Sequence, residues 1–390
     1  MKSAVLILIL SFLVVIPAHA QDDLGIPCAN KPWIARNVWD MIVFQDRLYV
    51  GCGDYHSNAG PIDVWSRQGD ADWVNEYTVD EEQIGKFRVL DGTLVIPGMD
   101  ARQGHEFGNW YDLEATGWTK HRNIPGGLHV FDIFDYQGMR FAALGADPEK
   151  PALAISKDGG QTWMEQLVPG DGQPQSVIQS GVCTTQEVAS ITLQAYNFFT
   201  IDGDLYLDTN GYGQYNCTDK GAIFIAVREL TKWDGTQLQP LDIYPFPGLV
   251  TNYMYSPTTY GKGVVYIGHS VRENMGYVYE MGSDLVPQTL TVPNCTFPQS
   301  LTTSSGVLYA LCGEPAGDNW RISVQTTCDL IHWTELVNFT EPTYARSFAL
   351  DSDAIYFGLG ADNKAPKKIQ SVVGTVYREA VTPPAACPAS

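Results

Sequence analysis

Four short runs between residues 129 and 168 set the pattern of the chain. HVFDIFDY (129–136), MRFAALGA (139–146), PALAISKD (151–158) and TWMEQLV (162–168) are rich in aromatic and aliphatic residues, with Gly, Asp or Pro at their boundaries. Such runs read as four antiparallel strands, A to D, of one unit. The second run has relatives along the whole chain: a turn, an apolar-aromatic strand, then Gly. They are RLYVGCGD (47–54), TLVIPGMD (93–100), DLYLDTNG (204–211), VVYIGHS (264–270), VLYALCGE (307–314) and AIYFGLGAD (354–362). Their second apolar positions fall at Tyr49, Val95, Phe141, Tyr206, Tyr266, Tyr309 and Tyr356. No helical period interrupts them after residue 20.

A four-stranded unit cannot bury both of its faces alone, so repeats of this size stack on one another around an axis. The pattern predicts an all-β fold, a seven-bladed β-propeller of four-stranded antiparallel blades, formed as a single domain by residues 21–390. Six or eight blades follow if one repeat is miscounted, and two smaller β-domains are the rival architecture. Ring closure brings the chain ends together. A disulfide between Cys28 and Cys387, which flank the repeats, is the expected latch, with Cys183–Cys217 as a second pair.

The first twenty residues, MKSAVLILILSFLVVIPAHA, differ from the rest. One Lys, an apolar run too short to span a bilayer comfortably and Ala18-His19-Ala20 predict a secretory signal peptide cleaved before Gln21. An even count of 8 Cys without metal-ligand spacing fits an oxidising, extracellular compartment. Sequons at Asn216, Asn294 and Asn338 are sites for N-glycosylation in a eukaryotic host. With 44 acidic against 24 basic side chains the net charge is −20, which excludes nucleic acid as a partner. No later stretch is long enough for membrane insertion. A monomer is expected, with glycan or an extracellular protein as its partner.

Residues 156–163, SKDGGQTW, match the pattern S-x-D-x-G-x-x-W at Ser156, Asp158, Gly160 and Trp163. A shortened copy, TTCDLIHW (326–333), keeps Thr327, Asp329 and Trp333 but lacks the Gly. The chain therefore resembles the Asp-box, or sialidase-type, β-propellers. In those families the box staples the C–D turn and lies on the face opposite the catalytic one. Sialidases also share an arginine triad and an F-R-I-P motif. Phe87-Arg88-Val89-Leu90 lacks the proline, so the resemblance implies the fold and not sialidase chemistry.

Propeller topology puts the loops before strand A and between strands B and C on one face, around the channel mouth. His56, His105, His129 and His269 map there, with Asp54, Asp100, Glu106, Asp147, Tyr212, Glu273, Asp318 and Asp362. Arg88 and Arg346 fall in inner strands. A uronate lyase needs a cation for the carboxylate, a base for the adjacent proton and an acid for the leaving oxygen. His129, Arg88, His105 and Asp100 are the candidate catalytic set. His56, Asp54, Tyr212, Tyr253, His269 and Arg346 are the candidate substrate-binding set, and Tyr215 and Tyr255 are further aromatic candidates. Paired carboxylates such as Asp54 and Asp100 would instead suit glycoside hydrolysis. Acidic loops at 145–150 and 360–366 offer oxygen ligands to Ca²⁺ but lack EF-hand spacing, so no cofactor is expected. The function predicted is carbohydrate engagement at the channel mouth by a hydrolase or lyase. The alternative is a non-catalytic propeller that binds glycan or protein.

Overall fold

A computed structural model describes residues 21–54, 57–104, 106–145, 153–166, 176–179, 188–215, 223–241, 243, 245–246, 254–270, 275–384 and 386–387. For 176–179, 188–193, 210–215, 223–229 and 270 the description covers the backbone alone.

The chain is a β-propeller of antiparallel sheets, each starting from an inner strand at the axis. After the two-residue β1 (Asp22–Asp23), the first sheet is β2 (Asp40–Phe44), β3 (Arg47–Gly51), β4 (Ile62–Arg67) and β5 (Val74–Val79). The second is β6 (Arg88–Leu90), β7 (Thr93–Pro97), β8 (Phe107–Glu114) and β9 (Gly117–Pro125). Next come β10 (His129–Tyr136), β11 (Met139–Gly145), β12 (Leu153–Ser156), β13 (Met164–Gln166) and β14 (Ser176–Gln179). They share one sheet with β15 (Val188–Ile201), β16 (Asp204–Tyr215), β17 (Ile223–Trp233) and β18 (Leu238–Leu241). Two four-stranded sheets follow: β19 (Tyr255–Tyr260), β20 (Gly263–Ser270), β21 (Met275–Met281) and β22 (Pro287–Leu290), then β23 (Phe297–Ser304), β24 (Val307–Ala316), β25 (Asn319–Thr327) and β26 (Trp333–Glu341). The last sheet is β27 (Ala345–Leu350), β28 (Ala354–Leu359) and β29 (Val376–Ala380), completed by β1.

The expectation of seven four-stranded blades is corrected by this topology. Among the described residues five sheets are four-stranded, and the nine strands from β10 to β18 form a single sheet. The reason lies at Gly145, which pairs with Gln194 and so joins β11 to β15. At 14 residues, β15 is the longest strand, and β14 pairs with the far half of β17. A repeat in sequence counts hydrophobic strands. It does not report whether two adjacent ladders stay separate.

The repeat itself has a clear packing role. Tyr49, Val95, Phe141, Tyr206, Tyr266, Tyr309 and Tyr356 are all buried, none more than 7% exposed. They fill the spaces between neighbouring sheets, where apolar surface leaves water at about 25 cal/mol per Å².

Closure does not use the expected Cys28–Cys387 bond. Cys28 pairs with Cys52, Cys328 with Cys387, and Cys295 with Cys312. The ends meet through backbone instead: Asp22 and Asp23 lie opposite Arg378 and Tyr377, and the Leu24 N–H donates to the Val376 carbonyl at 2.9 Å. A terminal strand supplies the edge that a disulfide was expected to lock, which leaves both cysteines to nearer partners. Cys183 and Cys217 lie outside the described residues.

The SKDGGQTW turn is tightly bonded. Asp158 accepts the Thr162 N–H (2.9 Å) and hydroxyl (2.6 Å), Ser156 accepts the Gly160 N–H (2.8 Å), and the Trp163 indole donates to the Gly160 carbonyl (3.0 Å). These donors hold the Asp158 carboxyl down to about 2. In the shortened copy Asp329 accepts the N–H groups of Ile331 and His332, and Thr327 accepts that of Leu330. Leu330 takes a φ of 62°, close to the left-handed region that a glycine would occupy without strain.

The inner strands are laced together by side chains. Asp40 on β2 accepts the Phe87 N–H (2.7 Å), Asp132 on β10 accepts the Phe198 N–H (3.0 Å), Ser256 on β19 accepts the Leu301 N–H (3.0 Å), and Ser347 on β27 donates to the Val38 carbonyl (2.9 Å). Asp132 carries most, because it also takes Arg88 in a two-pronged pair (2.9 and 2.6 Å) and Lys86 at 3.0 Å. Burial works to raise its pKa, but the Arg88 and Lys86 charges prevail and the net shift is downward. Replacing Asp132 with Ala strands two cations at the axis, and losing one partner of a buried pair costs about 3–5 kcal/mol. Urea unfolding of Asp132→Ala is expected to show a loss of this order, and Asp132→Asn a smaller one.

Candidate functional site

The inner strands begin, and the second strands end, on the same face. His129 lies opposite Gly145, Phe297 opposite Gly313, and Ala345 opposite Leu359. At Gly145 and Gly313 the glycine that closes the repeat phrase makes room for a ring. A Cβ at Gly145 would sit 2.6 Å from the Phe131 ring and 2.9 Å from His129; at Gly313 it would sit 3.3 Å from the Trp320 ring.

Two clusters occupy this axial face. In the first, His129 Nδ1 lies 2.8 Å from the Met99 carbonyl and 3.5 Å from Asp100. Its ring stacks on Phe131, with centroids 5.4 Å apart, and Phe131 meets Tyr196 at 4.6 Å. The loop that presents Asp100 is anchored by Glu81, fully buried between β5 and β6. Its carboxylate accepts the Asp100 N–H (2.9 Å), the Asn109 amide (2.6 Å) and the Tyr111 hydroxyl (2.9 Å). Burial outweighs these bonds and pushes the Glu81 pKa up to about 7.

The second cluster spans the last sheet and the first. The Arg346 guanidinium lies 4.0 Å from the Trp39 ring centroid and donates to the Tyr344 hydroxyl at 2.7 Å. Tyr344 in turn donates to Asp362 at 2.9 Å. Trp39 is fixed by its indole N–H, which donates to the Gly53 carbonyl at 2.7 Å. His269, at the end of β20, meets Tyr255 edge-on at 4.6 Å. Burial, and then the charge of Arg346, lower its pKa to about 4, so its imidazole is neutral at pH 7.

The structure therefore brings His129 to Asp100 and sets His269 within electrostatic reach of Arg346. It does not bring Arg88 to either histidine. The Arg88 guanidinium is committed to Asp132, where the lacing of the inner strands holds it. Asp54 is buried, with its N–H donated to the Glu82 carbonyl (3.0 Å). The Asp54 and Asp100 charges both help raise the Glu82 pKa, although burial is the larger cause. His56, His105 and Tyr253 lie outside the described residues, and for Tyr212 and Tyr215 only the backbone on β16 is described. The loop at 145–150 lies outside them beyond Gly145. Among the described residues no group of three or more His, Cys, Asp or Glu is placed to hold a metal ion, and no helix is long and apolar enough to cross a membrane.

Sequence reasoning missed Trp39, Phe131, Tyr196, Trp320, Tyr344 and Glu81. A signal existed for two of them: Trp39 and Tyr344 stand immediately before an inner strand, at the position that enters the axial rim. Glu81 gave none, because burial of a loop carboxylate is a tertiary property.

No protein-family model matches the sequence, and no curated protein is similar to it in sequence. The fold is similar to that of a PL25 polysaccharide lyase, an ulvan lyase solved bound to -[GlcA(1-4)Rha3S]-, at a TM-score of 0.53 and 12% identity over 93% of this chain and 96% of that one. A second structure of a PL25 ulvan lyase gives 0.53 and 11%, covering 93% and 95%. The β-propeller domain of the Trilobed protease from Pyrococcus furiosus gives 0.45 and 8%, covering 83% and 89%. At these identities the likeness shows the propeller fold alone.

The depressed His269 pKa fixes a sign for the pH dependence of stability. Between about 4 and the ordinary 6.5 the unfolded chain binds a proton that the folded chain refuses. The contribution of the neutral ring is thus complete above that window and lost as pH falls through it. Histidine NMR is expected to show one ring titrating near pH 4, a signal absent from His269→Phe.

Proposed function

We propose that this is an extracellular, monomeric propeller that acts on an acidic polysaccharide at its axial face, and that the reaction is elimination beside a uronate. The observation that carries the reading is the His269 imidazole held edge-on against Tyr255 at 4.6 Å, on the face that carries Arg346; the ring's burial and the Arg346 charge both favour its neutral form. Arg346 would neutralise the uronate carboxylate and stabilise the enolate that forms as the adjacent C–H bond breaks. His269 would take that proton. The electron pair becomes the new C=C bond as the glycosidic C–O bond on the next carbon breaks, and the leaving oxygen takes a proton from Tyr255. Proton return from His269 to Tyr255 restores the starting state. The propeller likeness to a glucuronate-bound lyase supports this reading at the level of fold.

Arg346 replaces Arg88 in the anion-binding role, since the axial network already occupies Arg88. His129 and Asp100 would contact the chain further along the face. The signal-like first twenty residues and three disulfides support export. The paired turns at 156–163 and 326–333 support kinship with the Asp-box propellers. A second reading, a binding module without catalysis, is favoured by one observation: the His129 ring is tied to Met99 and Asp100 and packed on Phe131.

Incubation with neutral and uronate polysaccharides separates the readings. Elimination yields an ultraviolet-absorbing unsaturated product from uronate chains only, and hydrolysis yields reducing ends without it. His269→Ala is expected to slow the reaction by about 10²–10⁴-fold, the usual contribution of a general base. No product from any polysaccharide, with His269→Ala binding as well as wild type, would exclude the catalytic reading.

A further inference from the structure

The axial face carries a cation, Arg346, whose partners differ from those of Arg88, Arg140 and Arg321. Arg88, Arg140 and Arg321 each hold a carboxylate at 2.6, 2.8 and 2.5 Å. The nearest carboxylate to Arg346 is Asp362 at 3.9 Å, itself 82% exposed, and the Arg346 Nε is buried with no hydrogen-bond partner among the described residues. The guanidinium is held mainly by a ring face and a phenol, with the Ala361 carbonyl at 3.5 Å, and its ion pair with Asp362 is long and solvent-exposed.

Arg346 is also one end of a run of rings. From its guanidinium the Tyr344 centroid lies at 5.4 Å, then Trp320 lies 5.3 Å from Tyr344, and Phe297 lies 5.3 Å from Trp320. The run crosses from β27 to the β23–β26 sheet along the axial rim. Gly313 permits it, because any side chain there would press against the Trp320 ring. Trp320 and Phe297 are both partly exposed, whereas Tyr344, between Trp320 and Arg346, is buried. Apolar ring surface is therefore open to solvent at one end of the run, and a cation with only a long, exposed ion pair lies at the other. A carbohydrate chain with spaced anionic groups has the same alternation: sugar rings with apolar C–H faces, and carboxylate or sulfate at intervals.

We propose that Trp320 and Phe297 form a stacking subsite for a sugar ring adjacent to the one whose anionic group rests on Arg346, so that the chain runs outward over the β23–β26 sheet. The inference rests on the reading of the axial face as a glycan surface and adds its direction and its chain-length requirement. A monosaccharide or short oligosaccharide meets Arg346 alone, and a longer chain reaches both.

The test is calorimetric titration with a size series of ulvan-derived oligosaccharides, from disaccharide to hexasaccharide, against wild type, Trp320→Ala and Trp320→Phe. Wild-type affinity is expected to rise with length. Trp320→Ala is expected to lose on the order of tenfold on the hexasaccharide, about what one ring contact contributes, and little on the disaccharide. Trp320→Phe, which keeps a ring, should restore most of it and serves as the folding control. Wild-type binding that is equal at every length, or a Trp320→Ala loss equal at every length, overturns the subsite and leaves the axial glycan surface standing. No wild-type binding to any member of the series overturns both.

Discussion

Asp132 is the constraint on which the rest of the axial architecture depends. One fully buried carboxylate takes charges from Arg88 and Lys86 on the preceding sheet and a backbone N–H from Phe198 on the following strand. Three successive inner strands are thereby held at a common height. A lone ion in such a place would be costly, but two cations and an amide saturate its lone pairs. Lys86 also donates to Asn197, and Asn197 donates to the Met254 carbonyl, so the tie extends to the start of β19. Burial lowers the Lys86 pKa to about 8 and raises that of Asp40 to about 6.

This lacing sets what the mouth can offer. Inner strands fixed in height present their first residues together, and a closing glycine lets rings fold down over the rim. His129 and Phe131 lie over Gly145, and Trp320 lies over Gly313. The polar network beneath uses up Arg88 and leaves Arg346 as the guanidinium held by aromatic and phenolic groups. The difference between the two arginines follows from what stands opposite each: β10 supplies Asp132 to Arg88, and the residue just before β2, Trp39, lies against Arg346.

For a chain with a net charge of −20, the proposed anionic ligand would be an unexpected partner. The contradiction is local in its resolution. Many of its carboxylates are exposed and screened beyond about 8–10 Å in physiological salt. A guanidinium that is only 18% exposed acts through a less polarisable medium and dominates its own surroundings. It is this effect that reaches His269 and adds to the burial that keeps its ring neutral.

Much of the fold was legible in the sequence because its cause is local. The apolar-aromatic strand followed by Gly marks the element that packs between sheets, and every copy is buried as its pattern requires. Ser156, Asp158 and Trp163 dictate their own turn through bonds spanning a few residues, and so the turn could be read directly. His129 opens an inner strand, β10, as the run HVFDIFDY indicates. The number of separate sheets was not legible in this way, since Gly145 pairing with Gln194 joins strands nearly fifty residues apart and leaves no local trace. The disulfides were equally unreadable: Cys28 had a nearer partner in Cys52 once β1 had closed the ring by backbone hydrogen bonds. Which arginine has a close carboxylate partner was decided last of all. That depends on whether a carboxylate from another strand stands within hydrogen-bond reach, and only the folded chain brings those side chains together.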